Sequence, residues 1–172
     1  MINLLDKFDL KYSNYIHNLD LNHVEIIIYS FGRIFNPDFI FSYLVLILIS
    51  KTFISNNIIE FIKILLTVII GLVITLTTKK YFGRPRPEIN KEVYREFNLR
   101  KHENNNSMPS GDSLQAANFA MILYLYYNIN LAFILVPFVM FSRIYYFCHY
   151  IGDTFIGSLM GISISYLIFL CI

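Results

Sequence analysis

The chain has 172 residues, of which 56% are hydrophobic and 15% are charged, so its composition excludes an ordinary soluble domain. This length suits a single domain, and the net charge of +2 gives no indication of a nucleic-acid partner. Eight of the fourteen basic residues lie between residues 79 and 101, so positive charge is concentrated in one short stretch. The two cysteines, Cys148 and Cys171, lie in apolar segments and are interpreted as packing groups rather than as a disulfide.

Residues 1–20 alternate Leu, Phe and Tyr with Asp, Lys and Asn, and the apolar side chains fall at helical spacing. This pattern predicts an amphipathic N-terminal arm that lies on a membrane surface as a helix, with a solvated arm as the alternative. The arm lacks the basic-then-apolar order of a signal peptide, so we expect it to be part of the mature protein.

Six apolar segments follow the arm, and together they predict an all-α, integral-membrane bundle of about six transmembrane helices. A helix needs about 20 apolar residues to cross a bilayer, and the first two segments are short for this purpose. Five spanning helices are therefore the alternative, if the first segment only dips into the membrane. The six segments are residues 22–35, 39–50, 58–78, 113–127, 131–148 and 154–172.

The polar stretch over residues 88–107 is predicted to be a loop outside the bilayer, with a short helix at residues 91–100. In a bundle of six helices, the third and fifth helices end on the side where the fourth and sixth begin. Residues 79–86, 110–112 and 143–153 should therefore meet at one face of the membrane.

Three polar patterns lie in these regions, and each alone has an ordinary structural explanation. The lysines and arginines of residues 79–87 are typical of a basic cluster that flanks a membrane span. Residues 107–113 place serine, proline, glycine and aspartate directly before a helix, which is typical of a helix cap. Residues 142–153 bring an arginine, a histidine and an aspartate into an apolar sequence, and charges at membrane depth tend to be functional.

Taken together, the three patterns predict a phosphate site. Guanidinium and ammonium groups would meet the free amides of a helix start, which is a ready anion site. If residues 142–153 are helical, His149 and Asp153 lie on one face. The carboxylate can then hold one ring nitrogen, which leaves the other free to act as a base or a nucleophile.

In these three motifs the chain resembles the type 2 phosphatidic acid phosphatase family. Members of this family are integral-membrane lipid phosphate phosphatases with an acid phosphatase/haloperoxidase-like core. The family pattern is K-x6-RP, then PSGH, then SR-x5-H-x3-D. The first and third parts match in every fixed position, at Lys79, Arg86, Pro87, Ser142, Arg143, His149 and Asp153. The second part ends in Asp112 instead of histidine. The resemblance covers residues 58–172, the motif-bearing core of a single membrane-embedded phosphatase domain expected over residues 21–172.

The resemblance implies a role for each matching residue. His149 would attack phosphorus and form a phosphohistidine, and Asp153 would orient it and stabilise its charge. The substrate-binding residues, which would hold the phosphoryl oxygens, are Lys79, Arg86, Ser110, Gly111 and Arg143. The family requires no metal and no other cofactor, so we expect neither here.

Asp112 is the departure from the family pattern, because the missing histidine would protonate the leaving oxygen. A helix start and nearby cations lower the pKa of such a carboxyl group, whereas desolvation and a bound phosphate dianion raise it. The sequence leaves the sign of the balance open. Asp112 is therefore a candidate catalytic acid, or a base for the hydrolytic water, and a diphosphate would need less acid assistance than a monoester.

The predicted function is a membrane phosphatase, a metal-independent hydrolase of a phosphatidate-like lipid phosphate or a polyprenyl diphosphate. A catalytically impaired phospholipid-binding protein of the same fold is the alternative, and a transporter built on intramembrane charge is a third hypothesis. The expected partners are a lipid phosphate substrate and membrane lipids. The resemblance implies a site on the non-cytosolic face, although the positive-inside rule alone would place the basic residues 79–101 in the cytosol.

Overall fold

The protein is described by a computed structural model that covers residues 2–36, 58–100 and 106–171. Within these ranges there are six α-helices and no strands, so the all-α fold class is confirmed. The helices are α1 (Ile2–His17), α2 (Glu25–Ile34), α3 (Ile58–Phe82), α4 (Gly111–Tyr127), α5 (Leu135–Tyr145) and α6 (Ile151–Cys171). Short 3-10 helices precede α2 and α5, at Asn22–Val24 and Asn130–Ile134. The segment predicted at residues 39–50 lies outside the described residues.

Two of these helices, α3 and α6, are long and apolar enough to cross a membrane by length and composition. Both expose large apolar side chains on their outer faces, among them Leu76 at 57% and Leu167 at 58%. Apolar surface of this extent suits contact with lipid rather than with water. α4 is different, because most of its first twelve residues are buried, and it packs against both long helices.

Two glycines on α6 allow it to approach α4 closely. A Cβ atom at Gly157 would collide with the carbonyl oxygen of Ser110, and one at Gly161 would collide with that of Leu114. This spacing of small residues is a common means of packing membrane helices. The close approach places the start of α4 beside the start of α6, where the Ser110 N–H donates to the Asp153 carbonyl oxygen at 3.0 Å.

Buried polar side chains also join the helices. The Asn118 side chain donates to Gln115 Oε1 at 3.1 Å, and Ser165 Oγ donates to Asn118 Oδ1 at 2.9 Å. Gln115 in turn donates to the carbonyl oxygen of Val68 at 3.4 Å, so α3, α4 and α6 are connected. Such bonds contribute about 0.6 kcal/mol each inside a membrane bundle, so they fix the arrangement more than they stabilise it.

The N-terminal arm is a helix, α1, and one of its faces is buried against the molecule. Ser13 and His17 are 0% and 2% exposed, whereas Phe8, Tyr12 and Tyr15 are exposed on the opposite face. The helical structure is therefore confirmed, and its location on a membrane surface stays a prediction. The buried face lies against α5 and the start of α6.

The polar segment after α3 contains no helix at residues 91–100, so that prediction is wrong. Its backbone amides form hydrogen bonds with distant parts of the molecule instead. The Glu25 carboxylate accepts hydrogen bonds from the amides of Glu96 and Phe97 at 3.2 and 3.3 Å. Arg95 donates to the carbonyl oxygens of His17 and Leu19, so the segment is fastened to α1 and α2.

Candidate active site

His149 lies in a turn between α5 and α6, so residues 142–153 do not form the continuous helix that would place His149 and Asp153 on one helical face. α5 ends at Tyr145 rather than near residue 148, and Phe147 adopts a left-handed conformation with φ of 56°. The amides of Cys148 and His149 both donate to the Arg143 carbonyl oxygen, at 3.0 and 3.2 Å. These bonds fold the turn back over the end of α5.

The turn still brings His149 to Asp153. His149 Nδ1 lies 3.8 Å from Asp153 Oδ2, a separation longer than a hydrogen bond but short enough for the carboxylate to stabilise a positive charge on the ring. Asp153 is fully buried, and its other contacts fix its orientation. Oδ2 accepts from the Tyr150 amide at 2.9 Å, and Oδ1 accepts from Arg84 Nη1 at 2.7 Å.

The His149 imidazole is 1% exposed, and its pKa is lowered from 6.5 to about 3. Burial is the main cause, since it disfavours the charged ring. The Asp153 carboxylate raises the pKa of the ring in part. The positive charges of Arg143, Arg86 and Lys79 lower it further. The ring is therefore neutral at pH 7, with Nδ1 toward Asp153 and Nε2 available as a nucleophile.

The cations predicted to bind phosphate lie around this ring. Lys79, at the end of α3, is 6% exposed, and its Nζ donates to the Asn106 carbonyl oxygen at 2.9 Å. Arg86 Nη1 donates to the Cys148 carbonyl oxygen at 2.6 Å, which places its guanidinium against the turn that carries His149. Both groups are close enough to His149 to influence its titration.

The start of α4 forms another side of the site. Ser110 is the N-cap residue, and its Oγ accepts from the Ser113 amide at 3.4 Å. The side chain of Ser110 is fully buried, and Gly111 follows it as the first residue of the helix. A helix start directs free N–H groups and a partial positive charge outward, so it favours an anion.

Asp112 pairs with Arg143, and this contact was not expected from the sequence. Arg143 Nη2 lies 3.0 Å from Asp112 Oδ2, and the side chains are 0% and 11% exposed. The carboxylate therefore neutralises the guanidinium that the family resemblance assigns to phosphate binding. A bound phosphoryl group would have to share Arg143 with Asp112 or displace it.

All eight predicted site residues lie at the meeting point of α3, α4, α5 and α6, so the three patterns do converge on one site. Two further residues belong to this group of contacts and were not predicted from the sequence. Arg84 pairs with Asp153, and Asp9 pairs with Arg84. Arg84 belongs to the basic cluster but occupies no fixed position of the motif, and nothing in the sequence around Asp9 distinguishes it. Among residues 2–36, 58–100 and 106–171, no three His, Cys, Asp or Glu side chains group as a metal site would need.

A comparison with known protein families identifies the family of this chain. A model of the PAP2 superfamily matches residues 60–172, which is more than half of the chain and includes all eight residues. The chain belongs to the PAP2 superfamily. The family predicted from the three motifs is thereby confirmed, and α1 and α2 precede the matched region.

Two solved structures share the fold. LpxE from Aquifex aeolicus aligns with a TM-score of 0.74 and 22% identity, over 94% of both chains. The transmembrane PAP2 type phosphatidylglycerolphosphate phosphatase from Bacillus subtilis aligns with a TM-score of 0.80 and 20% identity, over 96% of this chain and 85% of that one. Both likenesses cover more than nine tenths of this chain, and they confirm the integral-membrane helical fold. No curated protein matches the chain in a sequence search.

Proposed function

We propose that this PAP2 protein is a membrane phosphatase that hydrolyses a lipid phosphate or diphosphate through a phosphohistidine at His149. The observation that carries the proposal is the neutral, buried imidazole, which lies between the carboxylate of Asp153 and a group of cations. The protein would act as a multi-pass membrane protein, with a single embedded domain over residues 21–172 and its site on the non-cytosolic face.

The first step is attack of Nε2 of His149 on phosphorus. An N–P bond forms, the bond from phosphorus to the leaving oxygen breaks, and the electron pair goes to that oxygen. The ring becomes positively charged, and the Asp153 carboxylate 3.8 Å from Nδ1 stabilises that charge. In the second step water attacks phosphorus while Asp112 takes a proton from it. The N–P bond breaks, its electron pair returns to Nε2, phosphate is released, and the ring is neutral again.

The surrounding donors stabilise charge on the phosphoryl oxygens. Preorganised cations and amides are most effective in the transition state, where this charge is spread over three oxygens. The groups in these roles are the ammonium of Lys79, the guanidinium groups of Arg86 and Arg143, the Ser110 hydroxyl and the Gly111 amide. The mechanism uses no metal ion.

Asp112 determines which substrates the site handles best. As the carboxylate paired with Arg143, it is a poor proton donor but a suitable base for the hydrolytic water. A substrate with a good leaving group, such as a polyprenyl diphosphate that loses phosphate, needs little protonation of the leaving oxygen. A phosphatidate-like monoester loses an alkoxide and needs more.

The Asp112–Arg143 pair also supports the alternative, a non-catalytic phospholipid-binding protein, because it removes the usual acid and occupies a phosphate-binding arginine. The two functions differ in one covalent step. Purified protein in lipid vesicles is mixed with a substrate that carries ³²P in the transferred phosphoryl group and is then quenched in alkali, where phosphohistidine survives. We expect labelled protein and phosphate release from wild type and neither from His149→Gln. Lipid binding without label or phosphate release would show that the protein only binds.

A further inference from the structure

The start of α6 is capped by side chains from α1, more than 130 residues earlier in the chain. The Ile151 amide donates to Ser13 Oγ at 3.0 Å, and the Gly152 amide donates to Asp9 Oδ1 at 2.8 Å. The first amides of a helix have no partner within the helix, so these bonds satisfy groups that local residues usually cap. α1 therefore holds the first turn of the helix that carries Asp153.

Asp9 also reaches the site through Arg84. Arg84 Nη2 lies 2.6 Å from Asp9 Oδ2, and Arg84 Nη1 lies 2.7 Å from Asp153 Oδ1. The guanidinium lies over the Tyr150 ring, 4.2 Å from its centroid. A planar group held on both edges and one face has a single orientation, which lysine could not reproduce. Arg84 thus fixes one oxygen of Asp153 while the other faces His149.

The charges of Asp9, Arg84 and Asp153 affect the charge state of His149 as much as their geometry does. One guanidinium stands between two carboxylates, so Asp9, Arg84 and Asp153 together carry one net negative charge. Without the Asp9 charge, Arg84 would neutralise Asp153, and the carboxylate would stabilise a charged His149 ring less. Gly152 preserves the contact, since a Cβ there would lie 3.0 Å from Asp9 Oδ2.

We propose that Asp9 and Arg84 are positioning residues of the phosphatase site, and that α1 is a functional part of this site. The proposal rests on the proposed function and deepens it. Asp9 precedes the region that matches the superfamily model, so family membership does not assign it. Through Arg84, Asp9 keeps Asp153 oriented, and its charge keeps the group of Asp9, Arg84 and Asp153 negative overall while His149 carries the phosphoryl group.

The experiment compares Asp9→Asn with Asp6→Asn, a matched control that removes the same charge from an exposed position on the same helix. Each protein is reconstituted in vesicles, and kcat and KM for lipid phosphate and diphosphate substrates are measured. Binding of orthovanadate, a phosphate analogue, is measured in parallel. We expect Asp9→Asn to lower kcat about tenfold with KM and vanadate affinity within about threefold of wild type. The kcat, KM and vanadate affinity of Asp6→Asn should each stay within about twofold of wild type.

A double-mutant cycle tests whether Asp9 acts through Arg84. Arg84→Gln should lower kcat more than Asp9→Asn does, about 100-fold, and the double variant should resemble Arg84→Gln alone. Thermal unfolding is followed in a Cys171→Ser background with a dye that reacts with Cys148 once it becomes exposed, since Cys148 is buried in the fold. The apparent Tm of Asp9→Asn should lie close to that of Asp6→Asn.

Several outcomes would overturn the proposal. Equal kcat values for the two aspartate variants would remove Asp9 from the site. Independent, multiplicative effects of Asp9→Asn and Arg84→Gln would show that Asp9 does not act through Arg84. Parallel losses of kcat, vanadate affinity and Tm would show a purely structural role. An inactive wild type would overturn the proposed function as well, whereas an active wild type with any of these results would overturn the positioning role alone.

Discussion

α4 and α6 both begin at the site, and each carries an aspartate in its first turn that pairs with an arginine. On α4, Asp112 pairs with Arg143 at 3.0 Å, one anion against one cation. On α6, Asp153 pairs with Arg84 at 2.7 Å, and Asp9 adds a second anion. The α4 group is therefore neutral, whereas the α6 group carries one net negative charge.

In the proposed mechanism, this difference in charge between the two groups suits two different tasks. His149 becomes positive when it carries a phosphoryl group, and the negative α6 group beside it stabilises that state. The α4 group holds a cation that a phosphoryl group can share once Asp112 moves or binds a proton. The same pair of residue types thus supports the nucleophile on one helix and the substrate on the other.

The largest expected effect on the two helix starts is that of Asp153→Asn. An asparagine keeps the shape but removes the charge that stabilises the phosphorylated ring, so we expect kcat to fall about 1,000-fold for monoesters and diphosphates alike. Steady-state phosphate release and the amount of ³²P-labelled protein measure this. A smaller loss than that of Asp112→Asn would contradict the assignment of Asp153 as the main partner of His149.

The next effect concerns Asp112. As a base for the hydrolytic water, Asp112 acts at a step that both substrates share, so we expect Asp112→Asn to lower turnover of phosphatidate and of a polyprenyl diphosphate by similar factors, about 100-fold. Asp112→His should raise turnover of the monoester above that of wild type and change turnover of the diphosphate less, because an imidazolium can donate a proton to the leaving oxygen. Parallel measurements on both substrates test this, and a loss confined to the monoester in Asp112→Asn would contradict the role of Asp112 as base.

The smallest effect is on stability and concerns two histidines, His17 and His149, that are buried at the turn before α6. Burial lowers the pKa of His149 to about 3 and that of His17, which stacks on Phe147, to about 4. The unfolded chain binds protons below pH 6.5 and the folded protein does not, so stability is present above pH 6.5 and is lost as the pH falls. We expect His17 alone to account for about 2 kcal/mol between pH 6.5 and 4.5.

Thermal unfolding from pH 7 to 4.5, followed by dye reaction with Cys148 in the Cys171→Ser background, tests this prediction. His17→Gln removes one buried imidazole outside the proposed catalytic group, so its apparent Tm should fall less on acidification than that of wild type. Asp6→Asn serves as the control for an exposed change. Equal pH dependence in wild type and His17→Gln would contradict the burial of a neutral ring at this position.

The sequence predicted features that depend on local pattern. Long apolar runs located α3 and α6, and the asparagines at 128 and 130 located the break before α5, where Asn128 caps α4 in a left-handed conformation. The motifs predicted eight site residues, and the fold brings these residues together. The end of α5 was misplaced, because Tyr145 and the turn after it are equally buried and apolar, and apolarity alone does not separate a helix from a buried turn.

Features that depend on distant contacts could not be predicted. Arg84 and Asp153 are 69 residues apart, and no periodicity connects them. The start of α4 could be predicted because Ser110 caps it locally, whereas the caps of α6 come from Asp9 and Ser13. The helix expected at residues 91–100 does not form, because Glu25 binds amides that a helix would otherwise have used.

The bond between Asp9 and the Gly152 amide has a consequence for biosynthesis. Asp9 and Gly152 are 143 residues apart, so the contact cannot form until the ribosome has added the chain between them. At roughly 5–20 residues per second, that delay is on the order of ten seconds. During this interval the charged group of Asp9, Arg84 and Asp153 is incomplete, and we expect the nascent protein to gain hydrolytic competence only when α6 docks against α1.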